Sequence, residues 1–363
     1  MAPLRILIAG GGTGGHIIPA LAVARALVER HHAEILFVGT PRGLESRMVP
    51  AAGFDLRLIN VGQLKNVSLA TKLSTLFDLP RAIFACRRIL RDFRPGAVLS
   101  VGGYASGPAS AAALFAGIPL MAFEPNAMPG LANRLVGKRV AAAAVNFPAA
   151  ARFFSNAEVT GIPVRAEFFS IPAPSPEAPP HLLIFGGSQG ARIFNQTLPR
   201  IVPALLDAVP GLTILHQSGA PHFESTESAY RATGADPARW QVQPFLDDMP
   251  AQFARSHLVM ARSGASTVAE LAAAGKPSLL VPFAAAADDH QKRNAEELVK
   301  AGAAVMLLEP ELADPARLRD ALIALLRDPA RLARMSAAAR TQAHPDAAQR
   351  IADRLSRLAS ADN

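Results

Sequence analysis

One arrangement occurs twice in this chain, and it constrains the fold more than any other feature. Leu4-Arg5-Ile6-Leu7-Ile8-Ala9 runs into Gly10-Gly11-Gly12-Thr13-Gly14-Gly15-His16, and His181-Leu182-Leu183-Ile184-Phe185 runs into Gly186-Gly187-Ser188-Gln189-Gly190. Each apolar run reads as a buried parallel strand. Each glycine turn lets the backbone take φ > 0 and approach a ligand closely. Helical patterns follow both: Leu21, Ala24, Ala26, Leu27 and Val28 give the first helix its core face, with Pro19 fitting its first turn, and the second helix spans Ala191 to Leu206. A strand, a glycine turn and a helix N-terminus make an anion site, because free N–H groups and the helix dipole point the same way. Two copies predict an α/β chain of two doubly wound parallel sheets facing each other across a cleft. The length of 363 residues, half of them hydrophobic, supports two cores.

Further strands are read at 34–39, 55–60, 97–101 and 120–123, then at 212–215, 241–245, 258–261 and 278–281. A second glycine turn, Gly102-Gly103-Tyr104-Ala105-Ser106-Gly107-Pro108, precedes a helix to Ala116. His16, Tyr104, Glu124 and Asn126 all fall just past strand ends, where an open α/β sheet binds its ligand. His16 is an imidazole set on the glycine turn itself, where an enzyme would place a base. Residues 161–165 read as a linker, and 171–180 as a Pro-rich loop. Residues 69–94 read as one or two helices interrupted near Pro80. They mix Leu73, Leu76, Phe77, Ile83, Phe84, Ile89 and Phe93 with Lys72, Arg81, Arg87, Arg88, Arg91 and Arg94. That mixture suits an ordinary packed helix with a solvated basic face, or a helix lying on an anionic membrane.

The charge is uneven. Residues 1–165 hold 18 Lys+Arg against 8 Asp+Glu, while 166–363 hold 19 against 21. A basic half suits a phosphorylated substrate, an anionic membrane surface, or simply a solvated basic face. Nucleic acid is not expected, with two tyrosines, one tryptophan and no recognition helix. The single cysteine, Cys86, excludes a disulfide framework and a cysteine zinc site. No signal peptide is read, since Arg5 interrupts the apolar start. No membrane-spanning helix is read either, since the stretch 109–123 is short and carries Gly117 and Pro119. No Asp-x-Asp pair and no metal-ligand histidine spacing beyond the adjacent His31-His32 occur, so no metal is expected; no cofactor is expected either. Nucleophilic catalysis is not expected: Cys86 lies mid-helix among apolar residues, and no nucleophile elbow is read.

Gly10, Gly12 and Gly15 match the dinucleotide spacing G-x-G-x-x-G. A dehydrogenase needs an acidic residue at the end of the second strand to hold a ribose, and Gly39-Thr40-Pro41-Arg42 supplies none; Arg42 could serve a 2′-phosphate instead, which leaves a dehydrogenase the weaker reading. The second half is better equipped for a nucleotide. Ser188 and the helix start Gly264–Thr267 can donate to a diphosphate. Glu270 can accept from both ribose hydroxyls, or it simply complements the helix dipole. Gln291, Asp288 and Asp289 suit sugar hydroxyls, or the start of the next helix. Without a metal, a leaving diphosphate must be stabilised by backbone amides, helix dipoles and Arg165.

Six motifs in fixed order carry a resemblance: Gly11-Gly12-Thr13-Gly14-Gly15-His16; Gly102-Gly103-Tyr104 with Ser106-Gly107-Pro108; Glu124 with Asn126; Gly186-Gly187-Ser188-Gln189-Gly190; Arg262-Ser263-Gly264-Ala265 with Glu270; and Asp289-His290-Gln291 with Asn294-Ala295. Over residues 4 to about 300 the chain resembles the MurG family of peptidoglycan glycosyltransferases. The resemblance implies a GT-B fold and an inverting, metal-independent reaction. N-acetylglucosamine would move from UDP-N-acetylglucosamine to the muramoyl 4-hydroxyl of undecaprenyl-linked lipid I, forming lipid II. It implies peripheral attachment to the cytoplasmic face of the inner membrane, an anionic lipid surface, and other cell-wall synthesis proteins as partners. It also implies an acceptor and membrane domain over 1–162, rejoined by a C-terminal helix at about 341–363, and a donor domain over 163–340.

By the same similarity, the donor would touch Thr13, Gly14, Gly15, Asn126, Arg165, Ser188, Leu246, the run Ala265, Ser266, Thr267, Val268, Ala269 and Glu270, and Gln291. His16 with Glu124 would be catalytic, and Tyr104 and Ser106 would face the acceptor. The chain departs from the family's usual His-Glu-Gln-Asn at Phe123 and Pro125, and its loop Ala284–Ala287 is unusually plain. Other readings on the same architecture are a GT-B transferase with a diacylglycerol or glycopeptide acceptor, a UDP-sugar 2-epimerase, and a non-catalytic membrane-associated binding module.

Overall fold

The computed structural model describes residues 3–61, 69–103, 105–175 and 177–360. The chain divides into two compact units, Met1–Val164 with His344–Asn363, and Arg165–Ala343.

The first unit carries strands β1 (Arg5–Gly10), β2 (Glu34–Gly39), β3 (Asp55–Leu58), β4 (Ala97–Gly102), β5 (Leu120–Glu124), β6 (Ala142–Val145) and β7 (Ala157–Val159). They form a parallel sheet in the order β3-β2-β1-β4-β5-β6-β7. Helices α1 (Gly14–His31), α2 (Glu45–Ala51), α3 (Leu69–Phe93), α4 (Ser106–Phe115), α5 (Leu131–Val136) and α6 (Pro148–Ala151) connect them. Leu7, Leu36, Val98, Cys86 and Leu90 belong to one buried cluster, as the apolar strand runs require.

The second unit carries α7 (Ala166–Phe169), β8 (His181–Phe185), α8 (Arg192–Ala208), β9 (Thr213–Gln217), α9 (Phe223–Arg231), β10 (Trp240–Gln243), α10 (Met249–Arg255), β11 (Leu258–Ala261), α11 (Ala265–Ala274), β12 (Ser278–Leu280), α12 (His290–Lys300), β13 (Ala304–Met306), α13 (Pro315–Leu326) and α14 (Pro329–Arg340). Its strands run parallel in the order β10-β9-β8-β11-β12-β13. A last helix, α15 (Ala347–Ser360), belongs to the first unit and packs on α1. Asp353 there pairs with Arg30 and His31, while Arg350 and Arg354 clasp Glu158.

In both sheets the strand order reverses beside the strand that precedes a glycine turn: between β1 and β4, and between β8 and β11. Such a switch point is where an open α/β sheet leaves a crevice at its carboxyl edge.

Two expectations need correction, and three strands go unread in the sequence. α1 starts at Gly14, so Pro19 sits in its second turn and not its first. The Thr13 carbonyl starts the helix early by accepting the His16 and Ile17 N–H groups. Pro80 does not interrupt α3. It removes one backbone donor, but Ala82, Cys86 and Leu90 are buried beyond it and keep one helix in register. The alanine-rich strand β6, with β7 and β13, escapes the sequence reading because alanine carries no strand signal and these segments are short.

Candidate active site

In the first unit, β1 delivers the chain into Gly10, Gly11 and Gly12, with φ of 140°, 147° and 94°. A Cβ on Gly10 would lie 2.3 Å from the Gly102 carbonyl oxygen, and one on Gly103 the same distance from the Gly11 carbonyl oxygen. The two turns therefore touch backbone to backbone, and only glycine fits. The turn ends at Thr13, the N-cap of α1, whose Oγ1 lies 3.1 Å from the His16 Nδ1. The other edge of the imidazole lies over Gly102, where a Cβ would come within 3.1 Å of both Cδ2 and Nε2. Gly14 and Gly15 supply the first N–H groups of the helix.

Glu124 ends β5 and is 2% exposed. Its Oε1 accepts from the Asn126 backbone at 3.0 Å and from Asn126 Nδ2 at 3.2 Å. Its Oε2 accepts from Gly130 N at 3.1 Å and Asn133 Nδ2 at 3.2 Å. Burial pushes its pKa up, against those hydrogen bonds. Asn133 also donates to the Phe123 carbonyl at 2.8 Å and accepts from Ser100, tying β4, β5 and α5 together. Glu124 thus organises the loop that carries Asn126. Ser106 is buried, and its hydroxyl donates to the Gly103 carbonyl at 2.8 Å, so it holds its own turn instead of presenting an oxygen outward. Tyr104 lies outside the described residues.

In the second unit, the turn after β8 leaves Ser188 exposed. Gly190 and Gly219, with φ of 71° and 83°, let this turn press on the turn after β9. The stretch Gly186–Gly190 also satisfies the spacing G-x-S-x-G, contrary to the expectation that no nucleophile elbow occurs. An elbow serine sits on a strained turn, whereas positive φ falls here on Gly187 and Gly190 and not on Ser188. Burial pushes the Cys86 thiol up to about 12, which removes it as a nucleophile.

Beyond β11, α11 begins at Ala265 with Gly264 as N-cap, no side-chain cap and no acid in its first turn. The positive end of its dipole is therefore uncompensated by its own sequence. The buried Ser266 Oγ there has no hydrogen-bond partner among the described residues. Val268 is buried, while Thr267 and Ala269 are half-buried. Glu270 follows in the second turn, and burial pushes its carboxyl up to about 7, against the pull of the Arg165 guanidinium. Arg165 caps α7 and lies over the Phe168 ring at 5.0 Å. Leu246 is buried. Gln291 Oε1 accepts the Phe283 N–H at 3.0 Å, and Ser263 donates to the Gln291 carbonyl at 2.8 Å. Asp288 and Asp289 take left-handed φ of 55° and 52° at the start of α12. Among the described residues no cluster of three or more His, Cys, Asp or Glu is arranged to hold a metal ion.

The chain matches the glycosyltransferase family 28 N-terminal domain over residues 6–145 and the family 28 C-terminal domain over residues 181–351. It is 45% identical, over 97% of its length and 96% of the relative's, to a UDP-N-acetylglucosamine–N-acetylmuramyl-(pentapeptide) pyrophosphoryl-undecaprenol N-acetylglucosamine transferase of Solibacter usitatus. The like-named Anaeromyxobacter dehalogenans protein is 46% identical over 96% of this chain and 92% of its own. The crystal structure of Acinetobacter baumannii MurG superposes with a TM-score of 0.84 at 30% identity, covering 98% of this chain and all of that one.

The chain belongs to the MurG family.

Within this MurG-family chain the fold is the expected GT-B type, with a parallel sheet in each unit. Two clusters on its switch-point edges rest on pairings the sequence did not show: Arg262 stands in one of the six motifs, whereas Glu45 stands in none. Arg262 is sandwiched between the Phe194 and Phe283 rings at 5.0 and 5.2 Å, donates to the Val281 and Pro282 carbonyls at 3.1 Å, and pairs with Glu309. Glu309 in turn accepts the Ala284 N–H at 3.1 Å, so the plain loop after β12 is anchored by an ion pair from outside it. The second cluster centres on Glu45. Its carboxylate reaches the Gly12 N–H at 2.7 Å, although Gly39–Arg42 offers no acid at the end of β2.

Proposed function

We propose that this chain transfers N-acetylglucosamine from UDP-N-acetylglucosamine to the muramoyl 4-hydroxyl of lipid I, with inversion at the anomeric carbon. The carrying observation is its near full-length identity to enzymes bearing that name, joined to a chain that keeps an imidazole on one switch-point edge and an open helix N-terminus on the other. His16 takes the proton from the acceptor hydroxyl. That oxygen bonds to the anomeric carbon as the bond to the UDP oxygen breaks, and the leaving diphosphate takes the electron pair. The N–H groups of Ala265–Thr267, the α11 dipole and Arg165 stabilise that charge, while Ser188 and Gln291 hold the donor's polar groups. Glu270 accepts from the ribose hydroxyls, and Leu246 borders the base. On the acceptor side Glu124 holds the Asn126 loop, and Tyr104 is assigned to the acceptor by the family resemblance.

The first unit also supplies a membrane face. Phe84 on α3, Phe115 on α4 and Leu135 on α5 are 69%, 73% and 68% exposed, and α3 adds exposed Arg81, Arg87, Arg88 and Arg91. α4 packs against both α3 and α5. Exposed apolar side chains on packed helices, with exposed arginines along α3, suit an anionic bilayer surface, and among the described residues no helix is long and apolar enough to cross one.

Incubation with UDP-N-acetylglucosamine and a soluble lipid I analogue tests the reading. Acceptor-dependent UDP release with a disaccharide product supports it. Interconversion of the free donor without acceptor, seen by NMR, would make the chain an epimerase, and no turnover at all would leave a binding module.

A further inference from the structure

Glu45 begins α2, is 1% exposed, and has no part in the assignment above. Its Oε2 accepts the Gly12 N–H at 2.7 Å. Its Oε1 accepts both the Thr40 N–H at 2.9 Å and the Thr40 hydroxyl at 3.0 Å. Three glycines clear the space it fills: a Cβ on Gly11, Gly39 or Gly43 would come within 2.3, 2.4 and 1.9 Å of its side chain. A buried carboxyl so placed uses both oxygens as acceptors, one for Gly12 and one for Thr40. It takes a glycine-turn N–H that a phosphate oxygen would otherwise use.

The next residue after Gly12 is Thr13. Its carbonyl starts α1, and its hydroxyl meets the His16 Nδ1 at 3.1 Å. We infer that Glu45 is a positioning residue: its carboxylate locks the first glycine turn to the segment after β2 and, through Gly12 and Thr13, sets the direction of the His16 imidazole. This rests on the transferase reading, in which His16 touches the acceptor hydroxyl. The lock is specific to a carboxylate. In Glu45→Gln the amide must aim its NH2 at the Gly12 N–H or at the Thr40 donors, which leaves buried donors facing each other. The turn has to move, and a displacement of about 1 Å at a reacting group costs about 10²-fold in rate.

The test uses the full chain, UDP-N-acetylglucosamine and a lipid I analogue. Glu45→Gln is expected to lower kcat by about 10–100-fold, with UDP affinity by calorimetry and acceptor KM unchanged, and with the acid limb of the kcat–pH profile displaced. Thr40→Val removes one donor and keeps the Gly12 bond, so its loss of kcat is smaller and in the same direction. A folded Glu45→Gln with unchanged kcat and pH limb overturns the inference, as does a loss that appears only in KM or UDP affinity. Should Glu45→Gln fail to melt cooperatively, Thr40→Val decides: an unaltered kcat and pH limb overturn it. Absence of transfer by the wild-type chain defeats the transferase reading and this inference together, whereas wild-type transfer with an indifferent Glu45→Gln defeats this inference alone.

Discussion

The hydroxyl of Thr13 faces the Nδ1 of His16 at 3.1 Å, within the first turn of the helix that the glycine loop opens. A hydroxyl that accepts from an Nδ1–H leaves Nε2 as the basic nitrogen, and Nε2 is on the ring edge that lies over Gly102. His16→Ala should therefore lower kcat by about 10²–10⁴ while UDP affinity stays as it was. Thr13→Val should cost less, because the ring survives and only its orientation loosens. Steady-state transfer kinetics with UDP calorimetry check both, and wild-type turnover in His16→Ala would assign the proton to another group.

Gly102 has φ of 87°, and its missing side chain is the space the imidazole uses. Gly102→Ala adds a Cβ at 3.1 Å from His16 Nε2 and places an L-residue in the left-handed region, at about 1–2 kcal/mol. The expected outcome is a lower melting temperature together with a fall in kcat. A variant that melts earlier but transfers normally would separate this glycine from the imidazole.

Glu270 titrates where UDP binding can be followed. Its folded pKa, about 7, lies above the ordinary 4.5, so the native chain holds this proton more tightly than the unfolded one. The resulting stability is full below 4.5 and is lost as pH rises through 7. Glu270→Gln should remove that part of the stability–pH slope. Ribose hydroxyls donating to the carboxylate favour its charged form, so UDP binding should release a proton just below pH 7. Calorimetry in buffers of different ionisation enthalpy reads this directly, and Glu270→Ala should both weaken UDP and abolish the release. An unaltered dissociation constant would take Glu270 out of the ribose role.

His216 gives the second unit an acid limit. It is fully buried, its Nδ1 meets the Tyr230 hydroxyl at 3.0 Å, and burial holds its pKa down to about 3. Its unfolded value is the ordinary 6.5, so the unfolded chain takes the proton first. Stability present above 6.5 is lost as pH falls towards 3. His181, held down to about 4, acts in the same sense. His216→Leu should move acid unfolding to lower pH without removing it. Trp240 packs against Tyr230 at 5.1 Å and is the chain's single tryptophan, so its fluorescence reports the transition.

The sequence makes the repeated strand–turn–helix units legible because burial demands apolar strands and the switch points demand glycine. His16, Glu124 and Ser188 are legible as residues past strand ends. What they touch is less so. Glu124 is a catalytic partner by the family resemblance; its four hydrogen bonds from Asn126, Gly130 and Asn133, which hold a loop, are not legible in the sequence. Ser106 reads as an outward contact and is buried. Glu45 meets Gly12 across 33 residues of sequence, and Arg262 meets Glu309 across 47. No local pattern carries pairings of that range, since they exist only once neighbouring strands have been brought side by side.

The central claim is a division of labour between an imidazole on the first unit and a nucleotide site on the second. A crystal structure of the chain with UDP tests it most directly. The ribose is expected within hydrogen-bond reach of Glu270, with the diphosphate on the N–H groups of Ala265–Thr267 and on Ser188. A nucleotide seated instead on the Gly10–Gly15 turn, with Glu270 and Ser188 untouched, would contradict the account.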